Sequence, residues 1–181
     1  MAPEVFEKTW ERIALLGCLV TGAGSIPVWF TLHIDDGLAA LVDQPERITR
    51  GGIEGDGVLT LTFAAVVVVA LVFATYRTDA GPGWRTSTFT LLSGLGALIL
   101  AVLAYLDLQA IRDRLTTYEA QGGINGTLAE SLSVDVHIAL YTVMAGSTLI
   151  VLAGLAGTVQ EIRAEDGPET VRESNSDDGT E

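Results

Sequence analysis

The sequence predicts an all-α fold, a four-helix transmembrane bundle with both termini in the cytoplasm. Hydrophobic residues make up 49% of the 181-residue chain and charged residues only 18%, whereas about a quarter of a soluble domain is charged. Four stretches are mostly apolar over about 20 residues, the length that crosses roughly 30 Å of hydrocarbon. Their apolar runs are continuous rather than alternating, which favours helices over barrel strands.

The four predicted spans differ in how clearly they are marked. The first has no charged residue, and its internal Pro27 predicts a kink, because proline removes a backbone hydrogen bond. The second contains an unbroken apolar run from Ala64 to Val72. In chain order the spans are 13–32, 58–76, 86–106 and 136–159.

The remaining segments complete the predicted organisation. Residues 1–12 form an N-terminal cytoplasmic segment, 13–159 the membrane domain, and 160–181 an acidic tail that we expect to be disordered. Two outer loops, 34–57 and 107–135, connect the spans. We expect a short surface helix from Gly37 to Val42, a third helix that continues to about Thr117, and an end of ordered structure at Gly122 and Gly123.

The orientation follows from the basic residues near the span ends. Cytoplasmic loops of membrane proteins carry an excess of lysine and arginine. Six basic residues lie on the side of the termini, and four lie in the two long loops, Arg47, Arg50, Arg112 and Arg114. This difference, although small, predicts cytoplasmic termini and a multi-pass protein of the cell membrane.

The charge balance excludes some functions and suggests a source. The net charge of −13 argues against a nucleic-acid partner, because phosphate binding requires clustered basic residues. Nine of the ten basic residues are arginine, with Lys8 the one lysine, which is typical of proteins from a halophilic archaeon. The alternative is an ordinary acidic protein whose tail carries much of the imbalance. The single Cys18 excludes an intrachain disulfide and a cysteine-based zinc site.

Small residues recur at helical spacing along three of the spans. Helices in lipid associate through close packing of such residues, so these stripes predict a tight bundle rather than an open pore. The stripes are Gly17, Thr21 and Gly24; Ser93, Ala97 and Ala101; and Gly146, Ala153 and Gly157.

Polar residues collect where the spans leave the membrane on the outer side. Imidazole and carboxylate groups are adequate ligands for zinc or another divalent metal. The candidate metal ligands are His33, Asp35, Asp107, Asp135 and His137. The alternative is structural, with Asp56 and Asp135 at helix starts, where acids favour the helix dipole, and with histidines that pack at the interface. No cofactor and no catalytic residue is expected.

A glycosylation sequon lies in the second outer loop. Asn125 is followed by Gly126 and Thr127, the acceptor pattern for N-glycosylation. It makes Asn125 a candidate modification site and agrees with an outer location of this loop.

Three short motifs carry a resemblance to a known class of proteins. These are Gly55-Asp56-Gly57 before an apolar span, Tyr105-Leu106-Asp107-Leu108 at the end of the third span, and the glycine-rich span after Val136. Over residues 10–160 the chain resembles uncharacterised small four-transmembrane-helix proteins of archaea and bacteria. The resemblance implies the topology and assigns no catalytic residue.

The expected function is that of a non-enzymatic accessory or assembly subunit that acts through helix contacts. The absence of charged residues inside the predicted spans argues against a pump, because proton and ion paths usually need them. Its expected partners are the lipid bilayer and either a second copy of the chain or another membrane protein. The alternatives are an outer-face binder or sensor of a metal or small ligand, and an oligomeric transporter of an uncharged solute, suggested by Pro27.

Overall fold

The computed structural model describes residues 8–77 and 83–165, with the exception of a few side chains within them. It contains six α-helices, one 3₁₀ turn and three β-strands in these residues. The helices are α1 Thr9–Ser25, α2 Asp36–Val42, α3 Asp56–Arg77, α4 Trp84–Gln121, α5 Gly123–Glu130 and α6 Ile138–Glu165. The strands are β1 Val28–Ile34, β2 Arg47–Gly51 and β3 Leu132–Val136, and the 3₁₀ turn is Gly52–Glu54.

Three of these helices are long and apolar enough to cross a membrane. They are Asp56–Tyr76, Trp84–Gln121 and Ile138–Ala164. They contain the second and third predicted spans entirely, and the fourth from residue 138 onward. The expected continuation of the third span is confirmed, and α4 runs four residues beyond Thr117 to Gln121.

The prediction of one continuous helix over 13–32 was wrong. Helix α1 ends at Ser25, and β1 begins at Val28. Pro27 therefore terminates the helix instead of kinking it, since proline cannot donate to the preceding turn. The following residues are mainly β-branched or aromatic, which suits a strand. The indole of Trp29 donates a 2.9 Å hydrogen bond to the carbonyl of Gly24, one of the acceptors that a helix end leaves unpaired.

The all-α prediction is corrected by a small sheet, in which the end of the predicted first span supplies the central strand and the two long loops supply the outer strands. Its strand order is β2-β1-β3, and both pairs are antiparallel. Loop 34–57 supplies α2, as expected, and also β2, while loop 107–135 supplies α5 and β3. Ordered structure thus continues past Gly122 and Gly123, which adopt positive φ values that glycine tolerates.

Helices α1, α3, α4 and α6 form a closed ring in which each contacts two others. The predicted small-residue stripes lie at these contacts. A methyl group added to Gly17 would lie 2.9 Å from the carbonyl of Gly146, and one added to Gly24 would lie 2.8 Å from the amide of Val143. Such distances leave no room for a side chain, so the prediction of a tightly packed bundle is confirmed.

The boundaries at both ends of the predicted membrane domain also shift. Helix α1 begins at Thr9, inside the predicted segment 1–12, and α6 continues to Glu165, inside the predicted tail. The disorder expected for the rest of the tail falls on residues 166–181, which lie outside the described residues. The described residues include neither terminus, so the cytoplasmic location of the termini stays a prediction.

Candidate functional site at the sheet-bearing end

The sheet has one polar and one apolar face, because side chains alternate along each strand. Thr31 is opposite Asp135, and His33 is opposite Ser133. Their side chains share a face with the histidine after β3, His137. The other face carries apolar residues and packs beside a buried cluster formed by Trp29 of β1 and five residues of α4 and α6, namely Ala101, Leu108, Ala139, Leu140 and Val143. These apolar sheet residues include Phe30, Val134 and Val136.

Two polar contacts connect β1 with β3 and the residue that follows it. The Nε2 atom of His33 lies 3.3 Å from a carboxylate oxygen of Asp135. Both side chains are substantially exposed, at 36% and 68%, so this pair adds little to stability. Thr31 and His137 share a 2.8 Å hydrogen bond between Oγ1 and Nε2. Thr31 is only 4% exposed, so its hydroxyl depends on this partner.

The five predicted metal ligands do not assemble into one cluster. Only His33, Asp135 and His137 share the polar face of the sheet. Asp35 lies just beyond β1, before α2, and Asp107 lies on α4, on the apolar side of the sheet. Among residues 8–77 and 83–165, no group of three histidine, cysteine, aspartate or glutamate side chains could hold a metal ion.

The glycosylation prediction concerns a side chain on which the structure is silent. The backbone of Asn125 belongs to α5, but its side chain is outside the described part of the chain. Glycosylation therefore stays a prediction from the sequence.

A groove lies on the apolar side of the sheet, where the sheet meets α3 and α4. Its volume is about 510 Å³. The sheet side contributes Trp29, Phe30, Leu32, Ile48, Arg50 and Gly51, and the helix side contributes Gly55, Asp56, Ala104, Asp107, Leu108 and Ile111. The sequence pattern did not predict this groove, because the groove depends on Val28–Ile34 forming a strand whose apolar side chains pack against α4.

A second cavity opens at the far end of β1 and has a different chemistry. It measures about 420 Å³, and its lining is mainly polar. Asp35, Asp36, Glu46 and Glu130 contribute carboxylates, and His33 and Arg47 contribute the basic groups. It brings the predicted Asp35 near His33, but it separates both from Asp107.

The three tryptophans differ in exposure. Trp84 is 48% exposed, whereas Trp10 is 1% and Trp29 5% exposed. Trp10 packs against Gly157 in the bundle. Beside it, Glu11 is a carboxyl side chain only 2% exposed, which sequence reasoning missed. A signal was present in the sequence, because the stripe of Gly17, Thr21 and Gly24 extends back at helical spacing through Ala14 to Trp10 and Glu11.

Comparison with known proteins gives no match to a family model, to a curated protein or to a solved structure.

Proposed function

We propose that the chain is a multi-pass protein of the cell membrane that serves as a non-enzymatic accessory subunit. All four helices of the ring cross the bilayer in this proposal, with cytoplasmic termini and an external sheet. Helix α1 is short, at 17 residues. Near its start, Trp10 packs against Gly157 of α6, and near its end, Gly24 packs against Val143 of α6. Helix α1 therefore runs alongside α6 between residues 143 and 157, and α6 is long and apolar enough to cross a membrane.

The observation that carries the accessory role is the two-sided sheet. Its apolar face is fixed against α4 and α6, whereas its other face presents Thr49, His33 and Asp135 to the surroundings. A rigid bundle that supports a small polar platform suits the recognition of a partner. The sequence led us to expect partner contacts through the helices. Because the small-residue stripes pack against other helices of the same chain, we propose that the partner binds the sheet instead.

Transport is supported less well than recognition. That alternative relied on Pro27 as a break within a spanning helix, as transporter sites often have. Pro27 instead follows the end of α1. The helices of the ring are in close contact at Gly17, Gly146 and Gly94, each of which would clash with an added methyl group.

The net charge of −13 and the single lysine support a source adapted to high salt.

A site-specific crosslinking experiment in native membranes tests the recognition role. A photoreactive amino acid replaces Thr49 on the polar face, and the control carries it at the exposed Leu92 on α4. We expect the Thr49 position to give an adduct of discrete mass, and we expect the double substitution His33→Ala and Asp135→Ala to abolish it. Adducts that are equal at both positions, or that persist in the double variant, would contradict the proposal.

A further inference from the structure

We propose that the groove between the sheet and α4 binds an amphipathic amine, a small molecule with an apolar body and one protonated amino group. This site lies on the opposite side of the sheet from the polar face and does not depend on the accessory role. Its volume of about 510 Å³ falls within the usual range for small-molecule sites, roughly 300–1,000 Å³.

The walls of the groove suit an apolar body. Leu108 forms a buried floor at 7% exposure, while Ile111, one turn further along α4, leaves 47% of its side chain uncovered. Phe30, Leu32 and Ile48 are half-buried on the facing sheet. A ligand that covers these side chains removes apolar surface from water, which favours binding by about 25 cal/mol for each Å².

Three charged residues set the polarity of the ligand. Arg50 comes from β2, Asp56 begins α3, and Asp107 lies in the interior of α4. Within the part of the chain that the structure describes, none of the three forms an ion pair or a side-chain hydrogen bond. Their charges sum to −1, so one ammonium group on the ligand would neutralise the groove.

Asp107 carries the strongest part of this argument. Asp56 is explained by its place at a helix start, where an acid interacts favourably with the helix dipole. Asp107 is 14 residues before the end of α4 at Gln121 and has no such role. Asp107 is exposed and lines the groove together with Leu108 and Ile111, so an amine can pair with its carboxylate while an apolar body covers those two side chains.

Photoaffinity labelling tests the site in the full-length protein. The protein is reconstituted in lipid nanodiscs and exposed to decylamine that carries a diazirine in its chain. We expect labelling of residues 104–111, and we expect unlabelled decylamine to compete for it. Decanol and decanoate, which match the chain but not the charge, should compete at least 10-fold less well.

Matched variants separate a built site from adsorption to the apolar surface. Asp107→Asn should weaken the competition by decylamine about 3- to 5-fold, because Asp107 is exposed and an exposed ion pair contributes less than a buried one. Asp113→Asn removes the same charge from the same helix at a position that is also exposed but lies outside the groove, and should change the competition less than about twofold. Equal competition by decanol, an unchanged Asp107→Asn variant, or labelling that decylamine does not compete would overturn the proposal. Labelling competed instead by a two-chain lipid would assign the groove to the bilayer and would also overturn it.

Discussion

Replacing Gly17 by alanine tests whether the helix ring is held by close backbone contact. The added methyl group would lie 2.8 Å from Cγ1 of Ile150 and 2.9 Å from the carbonyl of Gly146. Two of its three nearest neighbours are backbone atoms, which cannot rotate away. Helices α1 and α6 must therefore separate, and overpacking of this kind costs about 1–3 kcal/mol.

The same helix offers a matched control. An alanine methyl at Gly22 would meet only Cδ1 of Leu61, at an ordinary 3.6 Å. Both substitutions gain the same helix propensity of about 1 kcal/mol, because both remove a glycine from the interior of α1. The free energy of unfolding of the Gly17→Ala variant should therefore lie about 1–3 kcal/mol below that of Gly22→Ala.

Thermal unfolding in detergent micelles measures this difference. For a chain of this size, each kcal/mol corresponds to a Tm shift of about 2–4 °C. We expect Gly22→Ala to melt at or above the parent protein and Gly17→Ala to melt at or below it, with Gly17→Ala clearly the lower of the two variants. Equal Tm values for the two variants would refute the claim that α1 and α6 are in backbone contact.

Three further predictions concern the sheet and its junction with the bundle. Trp29→Phe removes a buried hydrogen bond and should lower the free energy of unfolding by about 1–2 kcal/mol, measured by the same melting assay; an unchanged Tm would contradict the role of the indole in closing the helix end. Ser25 and Thr60 have hydroxyls 2.8 Å apart between α1 and α3, and a double-mutant cycle with alanine should give a coupling energy of about 0.5–1.5 kcal/mol. A coupling near zero would indicate that this contact does not form. Zinc should leave the Tm of the parent protein and of a variant with both His33→Ala and His137→Ala unchanged, and a zinc-dependent rise in the parent alone would restore the metal hypothesis.

The sequence predicted the apolar helices well and the sheet not at all. Length and composition are sufficient for α3, α4 and α6, since a long apolar run has few alternatives in lipid. The run 13–32 was misjudged because hydropathy does not distinguish a helix from a buried strand. The segment from Val28 to Ile34 is mostly apolar, as either a membrane helix or a buried strand would be. Its pairing with β2 and β3 makes it a strand.

The sequence predicted only part of the candidate site, again because it did not predict the sheet. Placing polar residues at the span ends correctly located His33, Asp135 and His137 at one end of the bundle. It could not separate them from Asp107, because that separation depends on which face of the sheet packs against α4. Asp107 was grouped with possible metal ligands, whereas the fold places it beside apolar side chains in the groove.

Cysteine accessibility in intact cells tests the central claim, that α1 crosses the membrane along with α3, α4 and α6. In a Cys18→Ser background, single cysteines replace the exposed residues Thr9 and Gly83 at one end of the bundle, and Gly37 and Asp113 at the other. We expect a membrane-impermeant maleimide to label positions 37 and 113 in intact cells, and positions 9 and 83 only after the cells are permeabilised. Labelling of position 9 together with position 113 in intact cells would contradict the four-crossing account.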